Sequence, residues 1–332
     1  MSDRPMAPDG TRLEQLRIRI AWLYYIEGLT QERIGRALGL TRGRVNRLLA
    51  ESRELGVVRF QISSKLAHAV ELERGLMRRF KLSNVVVAPR PVDEGDAPIV
   101  VGTAAGEVLP GWLRAGQSVG IGWGKTMHAA SRALAFGGPR GLKIVSMFGG
   151  LPRSATINPY DIASRFAAVL QAECYFLNAP MVGSTDSSTR ALRHHHLVRD
   201  SFRRMLGVDM ALISLGHLGT SSTNVEFGIL SEAHRKGLIA AGAVGDVFGY
   251  YVDAGGRAVP HAANRTVVMP PLEALWRIPR LVVVSGGENK VPILRAVLGL
   301  GHVDTLVTDE SAAERLLDDT AAKPRLPRLR RR

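Results

Sequence analysis

A glycine-rich segment at the end of a predicted strand holds residue types that suit a phosphate group. Residues 118–124 read SVGIGWG, and a basic and a hydroxyl residue follow them. Glycines let the backbone approach an anion closely, and the N-terminus of the following helix presents free N–H groups. The spacing is neither that of a Walker A loop nor that of a dinucleotide fingerprint. The segment is therefore either an ordinary tight turn or a phosphate cradle formed by Gly122, Gly124, Lys125 and Thr126.

Three more glycine-rich segments are predicted turns, at 214–220, 242–246 and 285–290. Ligands of open α/β sheets bind beyond the carboxyl ends of the strands, so we expect the four segments to converge on one pocket. The candidates for ligand binding in the three later segments are Gly216, His217, Gly245, Asp246 and Lys290. Asp246 is suited to accept hydrogen bonds from sugar hydroxyls, whereas His217 either binds a hydroxyl or simply packs. These residue types fit a phosphorylated sugar or a polyol better than an apolar ligand. Trp123, which lies inside the first glycine-rich segment, is expected to form a wall of the pocket.

Other polar groups indicate no metal and no cofactor. Residues 194–196 are consecutive histidines, but adjacent side chains project in different directions and no cysteine or paired carboxylate lies nearby in the sequence. Asp309 and Glu310 are a carboxylate pair at a predicted strand end, and a helix N-terminal charge explains them better than acid–base catalysis. Cys174 is the only cysteine, which excludes an intrachain disulfide and a cysteine metal cage.

Residues 30–52, TQERIGRALGLTRGRVNRLLAES, have the pattern of a helix-turn-helix. Thr30 is placed to begin one helix and Gly39 to end it, and the Thr41 hydroxyl can cap a second helix. That second helix has an apolar stripe at helical spacing. The stripe consists of Val45, Leu48 and Leu49.

The other faces of the second helix carry side chains that read DNA. Arginine matches the O6 and N7 acceptors of guanine, and asparagine matches the N6 and N7 atoms of adenine. The predicted DNA-binding residues are Thr41, Arg42, Arg44, Asn46 and Arg47. The alternative for the charged members is a solvated helix face without function.

The charge of +14 is concentrated at the two ends of the 332-residue chain. Residues 1–65 hold 12 Lys/Arg and 7 Asp/Glu, and residues 321–332 hold six basic and no acidic residues. Basic ends beside a helix-turn-helix suit contact with the phosphate backbone of DNA. Improved solubility is an equally good explanation of the basic tail.

The sequence predicts a fold of two domains. Helix 11–27 supports the helix-turn-helix, and the alternating run 57–63 is typical of the wing of a winged helix. After a helix at 65–82, buried strands alternate with helices, one of them around 188–205, which predicts a doubly wound, mostly parallel α/β domain. The predicted organisation is an all-α (winged) helix-turn-helix domain at 1–64, a ligand-binding and oligomerisation domain at 65–320, and a disordered basic tail at 321–332.

Nothing in the sequence predicts export or membrane insertion. No apolar run reaches the roughly 18 to 20 residues of a membrane span. The first ten residues, MSDRPMAPDG, lack the apolar core of a signal peptide. We therefore expect a cytoplasmic protein without a membrane partner.

Five sequence blocks together resemble the SorC family of sugar-responsive bacterial transcriptional regulators. The blocks are AWLYYIEGLTQERIGRALGLTRGRVNRLL, GIGWGKT, GAVGDVFGYYVDAGG, SGGENKVPILRAVL and LVTDE, and the resemblance covers about residues 12–317. It implies a helix-turn-helix joined to an effector domain similar to sugar-phosphate isomerases and glucosamine-6-phosphate deaminase. It also implies a dimer or tetramer on operator DNA, with affinity changed by a sugar phosphate or polyol.

The resemblance implies roles for individual residues and leaves two alternatives. It places the phosphate loop at Gly122, Gly124, Lys125 and Thr126, and further ligand contacts at Asp246 and Lys290, with Gly216 and Gly245 shaping the site. One alternative is a sugar-phosphate isomerase or deaminase with a DNA-binding appendage. The deaminase pattern is absent, since TSSTNVEFG stands in its place at 220–228. The other alternative is a general DNA binder of the nucleoid.

Overall fold

The computed structural model describes the chain in two compact units. The units are Met1–Ser64 and Lys65–Arg332. The described residues are 9–54, 57, 65–151 and 157–318. The predicted tail at 321–332 lies outside them, as does the predicted wing at 57–63 apart from Val57.

The first unit contains the predicted helix-turn-helix. Its helices are α1 (Asp9–Tyr25), α2 (Gln31–Leu38) and α3 (Arg42–Glu54). Both predicted boundaries of α2 are confirmed, because the Thr30 hydroxyl accepts from the Arg33 N–H at 3.3 Å and Gly39 ends the helix with a left-handed φ of 68°. One buried cluster joins the three helices. Its fully buried members are Ile20, Ile34, Val45, Leu48 and Leu49.

The strands described in the second unit form two sheets. Seven form one sheet: β1 (Asn84–Ala88), β2 (Ser118–Ile121), β3 (Lys143–Gly150), β4 (Glu173–Pro180), β5 (Met210–Ile213), β8 (Leu281–Val284) and β9 (Thr305–Asp309). Two others form a separate antiparallel pair: β6 (Ala243–Val247) and β7 (Tyr250–Asp253).

Helices surround the sheet. They are α4 (Lys65–Phe80), α5 (Ala97–Val108), α6 (Lys125–Ala133), α7 (Pro159–Leu170), α8 (Asp186–His194), α9 (His196–Leu206), α10 (Thr223–Glu226), α11 (Glu232–Ala240), α12 (Ala262–Arg265), α13 (Leu272–Leu275), α14 (Val291–Gly299) and α15 (Glu310–Leu317). Short 3₁₀ helices cover Glu94–Asp96, Leu109–Trp112 and Glu288–Lys290. No helix among the described residues is long and apolar enough to cross a membrane.

The large sheet is parallel throughout, with strand order β1-β9-β8-β5-β2-β3-β4. From β2 the chain adds β3 and β4 on one side, and β5 then returns to the other side of β2. Every residue of β5 and β8 is buried, as expected for strands covered on both faces. The reversal of strand order makes β2 and β5 a topological switch point, where such sheets open a crevice.

Two predicted elements were wrong in detail. Residues 242–246 are not a simple turn, because 243–247 form β6 of the antiparallel hairpin. The β6 backbone also pairs with Gly216, which donates to the Asp246 carbonyl oxygen at 3.0 Å. The single helix predicted around 188–205 is two helices, because His195 leaves helical geometry with a ψ of 133°.

Candidate functional site

A cavity of about 140 Å³ opens at the switch point of the sheet. Its walls come from the segments that follow β2, β5 and β8, together with β6 and the start of α10. All four glycine-rich segments contribute to this cavity, which we call the first cavity. The predicted site residues that line it are Gly124, Lys125, Thr126, Gly216, His217, Asp246 and Lys290.

Two predicted glycines do not line the first cavity but support its walls. The Gly122 N–H donates to the Leu212 carbonyl oxygen at 2.7 Å, and a Cβ at this position would stand 3.0 Å from the same oxygen. A Cβ on Gly245 would stand 2.3 Å from the carbonyl oxygen of Gly216 and 2.7 Å from Ile293 Cβ. Both positions therefore require close backbone packing. Gly122 supports the wall of the cavity, and its contact with a ligand stays a prediction.

The first cavity has the groups that an anion requires. Gly124, with a φ of 105°, precedes α6, and no side chain caps the first turn of that helix. Lys125 Nζ lies 2.6 Å from Glu226 Oε2. Ser222 is 1% exposed, and its hydroxyl has no hydrogen-bond partner among the described residues. Free helix N–H groups, a cation and an unpartnered hydroxyl suit a phosphate.

A buried lysine and a buried aspartate lie deeper in the first cavity. Burial lowers the pKa of Lys290 to about 8, although the charges of Asp246 and Asp309 oppose that shift. Burial raises the pKa of Asp246 to about 6, although the Lys290 charge, the Gly249 N–H and the Asn224 amide oppose it. Asn224 Nδ2 donates to Asp246 Oδ1 at 2.8 Å. Between about pH 6 and pH 8 the lysine and the carboxylate are therefore both charged.

His217 is a neutral hydrogen-bonding group in the first cavity. Burial, and then the charges of Lys290 and Lys125, lower the pKa of His217 to about 4. Its Nδ1 accepts from the Gly219 N–H at 3.0 Å. A neutral imidazole that accepts at Nδ1 carries its proton on Nε2. His217 therefore offers Nε2–H as a donor.

Several cavity residues were not predicted. They include Glu94, Phe148, Ser214, Ser222, Thr223, Asn224 and Asn289. The polar run TSSTN at 220–224 marks three of them as part of a polar loop but does not place that loop at the edge of the sheet. Trp123 was expected to form a wall of the pocket, and it does line the first cavity. Its ring packs beside Phe148 and Phe227.

The minor candidates have structural roles. Asp309 Oδ1 accepts from the Ala312 N–H at 3.0 Å and caps α15, while Oδ2 accepts from the Gly287 N–H at 2.6 Å. The helix N-terminal explanation is therefore confirmed. The rings of His195 and His196 stack at 4.6 Å, and His194 bonds to the Arg190 carbonyl oxygen. No group of three metal-ligating side chains gathers anywhere in the described residues.

The second helix of the helix-turn-helix, α3, exposes the predicted DNA-binding side chains. The Thr41 hydroxyl accepts from the Arg44 N–H at 3.2 Å, so Thr41 caps α3. The side chains exposed along α3 are those of Arg42, Arg44, Asn46 and Arg47. The apolar stripe of α3 is buried against α1 and α2, which fixes the opposite face toward solvent.

Comparison with known proteins decides the class of this molecule. Residues 64–318 match the family described as "Putative sugar-binding domain", and residues 20–54 match region 4 of sigma-70. Transcriptional regulator LsrR of Escherichia coli (strain K12) is 32% identical over 323 residues, which cover 96% of this chain and 99% of LsrR. The chain belongs to the SorC family of sugar-binding transcriptional regulators.

One further relative and two solved structures are also similar to this SorC-family regulator. LsrR of Klebsiella pneumoniae is 32% identical over 309 residues, which cover 92% of this chain and 93% of that protein. The crystal structure of the full-length sorbitol operon regulator SorC from Klebsiella pneumoniae has the same fold, with a TM-score of 0.70 and 23% identity over 92% of this chain and 99% of that one. The sugar-binding domain of a Vibrio fischeri transcriptional repressor covers 75% of this chain, and 98% of its own length, with a TM-score of 0.68 and 23% identity.

The family membership decides between the functions that the sequence left open. The relatives are transcriptional regulators, so this chain is a regulator and not an isomerase or deaminase. Because a sugar-binding domain accompanies the helix-turn-helix, the regulator responds to a sugar-type effector, which a general nucleoid protein does not.

Proposed function

We propose that the first cavity binds a phosphorylated sugar or polyol and that its occupancy changes the affinity of α3 for operator DNA. The observation that carries the proposal is the set of groups gathered in one cavity. The uncapped start of α6 at Gly124, Lys125 and the Ser222 hydroxyl line it together with the buried, oppositely charged side chains of Lys290 and Asp246.

Each group has a role in this proposal. The uncapped N-terminus of α6, together with Lys125 and Thr126, holds the phosphate. The Asp246 carboxylate accepts hydrogen bonds from hydroxyls, and His217 Nε2–H donates one. Lys290, whose Nζ lies 3.4 Å from the Ser214 hydroxyl, neutralises negative charge in the buried part of the cavity.

On the DNA side, the exposed face of α3 enters the major groove. Arg42, Arg44 and Arg47 contact guanines or phosphates, and Asn46 contacts adenine. Thr41, at the N-terminus of α3, fixes the start of that helix and is placed to contact a phosphate. We further propose that the chain acts in the cytoplasm as a homodimer or homotetramer. The operator that it recognises controls a carbohydrate or polyol catabolic operon.

The switch works by population shift. The effector binds one quaternary arrangement more tightly than the other, and that preference alters the spacing of the recognition helices on the operator. Repression and activation are both compatible with this scheme, since each requires only that the two arrangements differ in operator affinity.

A thermal-shift screen of sugar phosphates and polyols, followed by gel shifts with the upstream region of the chain's own operon, tests the proposal. Arg44→Ala with Arg47→Ala should abolish operator binding and leave the ligand-induced thermal shift intact. Lys125→Ala should weaken the effector response and leave basal DNA binding intact. Operator binding by the double variant would exclude α3 as the recognition helix, and an unchanged dose response of K125A would exclude the loop after β2.

A further inference from the structure

A second cavity, of about 150 Å³, lies against the first. Trp123 and Asn224 line both cavities, so the two cavities adjoin at these two side chains. The rest of the second cavity comes from the segment after β4, from the residues that lead into α11, and from β7 and α12. Those residues include Met181, Val182, Gly183, Ser184, Ile229, Leu230, His234, Tyr251, Ala263, Thr266 and Val267.

The two cavities differ sharply in charge. Lys125, Lys290, Asp246 and Glu94 line the first cavity. Among the residues that the structure describes, no aspartate, glutamate, lysine or arginine lines the second cavity, whose polar groups are hydroxyls, the His234 ring and the Asn224 amide. Its remaining lining is largely aliphatic. A charged group placed there would lose its hydration without gaining an ionic partner.

The Trp123 and Asn224 side chains, at which the two cavities adjoin, are held in place by their neighbours. The Trp123 ring lies 6.2 Å from the ring of Phe148 and 6.3 Å edge-on from that of Phe227. Asn224 Nδ2 is held by its hydrogen bond to Asp246 Oδ1. A flat indole and a fixed amide between two spaces suit a ligand whose carbon chain passes along them, with stacking on the indole face.

We infer that the effector spans both cavities, with its single phosphate in the first and an uncharged, partly apolar end in the second. This inference rests on the proposed function and names the effector class within it. Monophosphates with a five- or six-carbon body fill both cavities. Three-carbon phosphates reach only the first, and bisphosphates place a second charge where no cation meets it.

Calorimetric titration of the full-length chain with matched pairs of ligands tests the inference. The pairs are ribulose 5-phosphate with ribulose 1,5-bisphosphate and fructose 6-phosphate with fructose 1,6-bisphosphate, with glycerol 3-phosphate and inorganic phosphate as short probes. We expect the better monophosphate to bind about tenfold or more tightly than its bisphosphate and than either short probe, a difference of about 1.4 kcal/mol or more. Equal affinity within the pairs would overturn the inference alone. No binding by any phosphate compound would overturn the proposed function as well.

Two variants and a control test the second cavity directly. Val182→Phe fills part of it and should weaken the monophosphate about tenfold while glycerol 3-phosphate is unaffected. Val92→Phe makes the same change at a residue that is 95% exposed and lines neither cavity, and should leave every affinity unchanged. Equal effects of the two changes on the monophosphate would contradict a ligand in the second cavity.

The second variant, Ser184→Lys, tests the second cavity even if V182F does not fold. Ser184 is exposed and lines the second cavity, so Ser184→Lys adds a cation there with little cost to folding. The lysine should raise bisphosphate affinity about tenfold relative to the monophosphate. Unchanged discrimination in a folded S184K protein would overturn the inference.

Discussion

Lys290 and Asp246 ionise close to neutral pH because both are buried in one cavity. The pKa of Lys290 is lowered to about 8, so this lysine loses its charge as pH rises through 8. The pKa of Asp246 is raised to about 6, so this carboxyl becomes neutral as pH falls through 6. We expect effector affinity to be greatest between about pH 6 and pH 8 and to fall by up to tenfold per pH unit outside that range. Calorimetric titration from pH 5 to pH 9 measures it.

The acid side of that profile has a second contributor, which a control separates. The second pKa of a phosphate monoester is about 6, so the ligand also loses charge there. Lys290→Met should weaken binding and remove the alkaline fall in affinity while the acid fall remains. Constant affinity across the range in the unaltered protein would contradict a role for either residue.

In the proposed complex, Glu226 competes with the ligand for Lys125. Glu226 Oε2 lies 2.6 Å from Lys125 Nζ, and a phosphate must replace this partner. The two side chains are 39% and 38% exposed, so the pair contributes only about 0.2 to 1 kcal/mol. Glu226→Gln should therefore bind a phosphorylated effector up to about fivefold more tightly, as measured by calorimetry.

A matched variant separates this effect from a general change of charge. Glu232 pairs with Arg235 at 2.7 Å and lines neither cavity, so Glu232→Gln should leave effector affinity unchanged. Weaker binding by E226Q would show instead that Glu226 contacts the effector directly.

The sequence predicted the cavity residues that directly follow strands better than the others. Lys125, His217 and Lys290 could be placed because parallel strands end at the same edge of the sheet. Ser222 and Asn224 could not, because they reach the first cavity only through the path of the long segment between β5 and α11. No local pattern encodes that path, since it depends on contacts with β6 and with the Trp123 ring.

At the scale of elements, the approach of β6 to the segment after β5 positions Asp246. The backbones of Gly216 and Asp246 exchange hydrogen bonds at 2.9 and 3.0 Å, and a Cβ on Gly216 would stand 1.9 Å from Asp246 Oδ1. Gly216→Ala should therefore displace the carboxylate, weaken effector binding tenfold or more, and lower the free energy of unfolding by about 1 to 3 kcal/mol. Calorimetric titration and chemical denaturation measure the two effects.

Gly299 provides the matched control for that change. It ends α14 with an ordinary φ, and a Cβ there would meet nothing within 4 Å. Gly299→Ala should leave effector affinity unchanged and stabilise the protein by at most about 1 kcal/mol. Full effector affinity in G216A would show that the close packing of these two segments does not position Asp246.

Element prediction succeeded where one local signal dominated. Thr30 caps the start of α2, and Gly39 ends α2 with a left-handed φ. Thr41 caps the start of α3. All three are local effects of the residue type. The β6–β7 hairpin was missed because its two buried strands are separated only by a tight turn at Phe248 and Gly249, both with positive φ. The break between α8 and α9 was missed because His195 carries no breaker signal in its sequence.

Effector binding by the sugar-binding unit must change the free energy of operator binding by the helix-turn-helix unit. If the effector changes operator affinity by some factor, the operator must change effector affinity by the same factor, because the two bindings form one thermodynamic cycle. We expect that factor to lie between about 5 and 150. Gel shifts with and without saturating effector give one side of the cycle, and calorimetric titration of effector with and without saturating operator duplex gives the other.

The double variant Arg44→Ala, Arg47→Ala makes this comparison specific. It should bind the effector with the affinity of the free protein whether or not operator duplex is present, because its α3 lacks two of the exposed cationic side chains. A factor seen by gel shift but absent from the calorimetric titration would mean that the effector acts on something other than the equilibrium of this chain with DNA. Equal factors on both sides would assign the switch to the chain itself, since a population shift of two arrangements changes both affinities together.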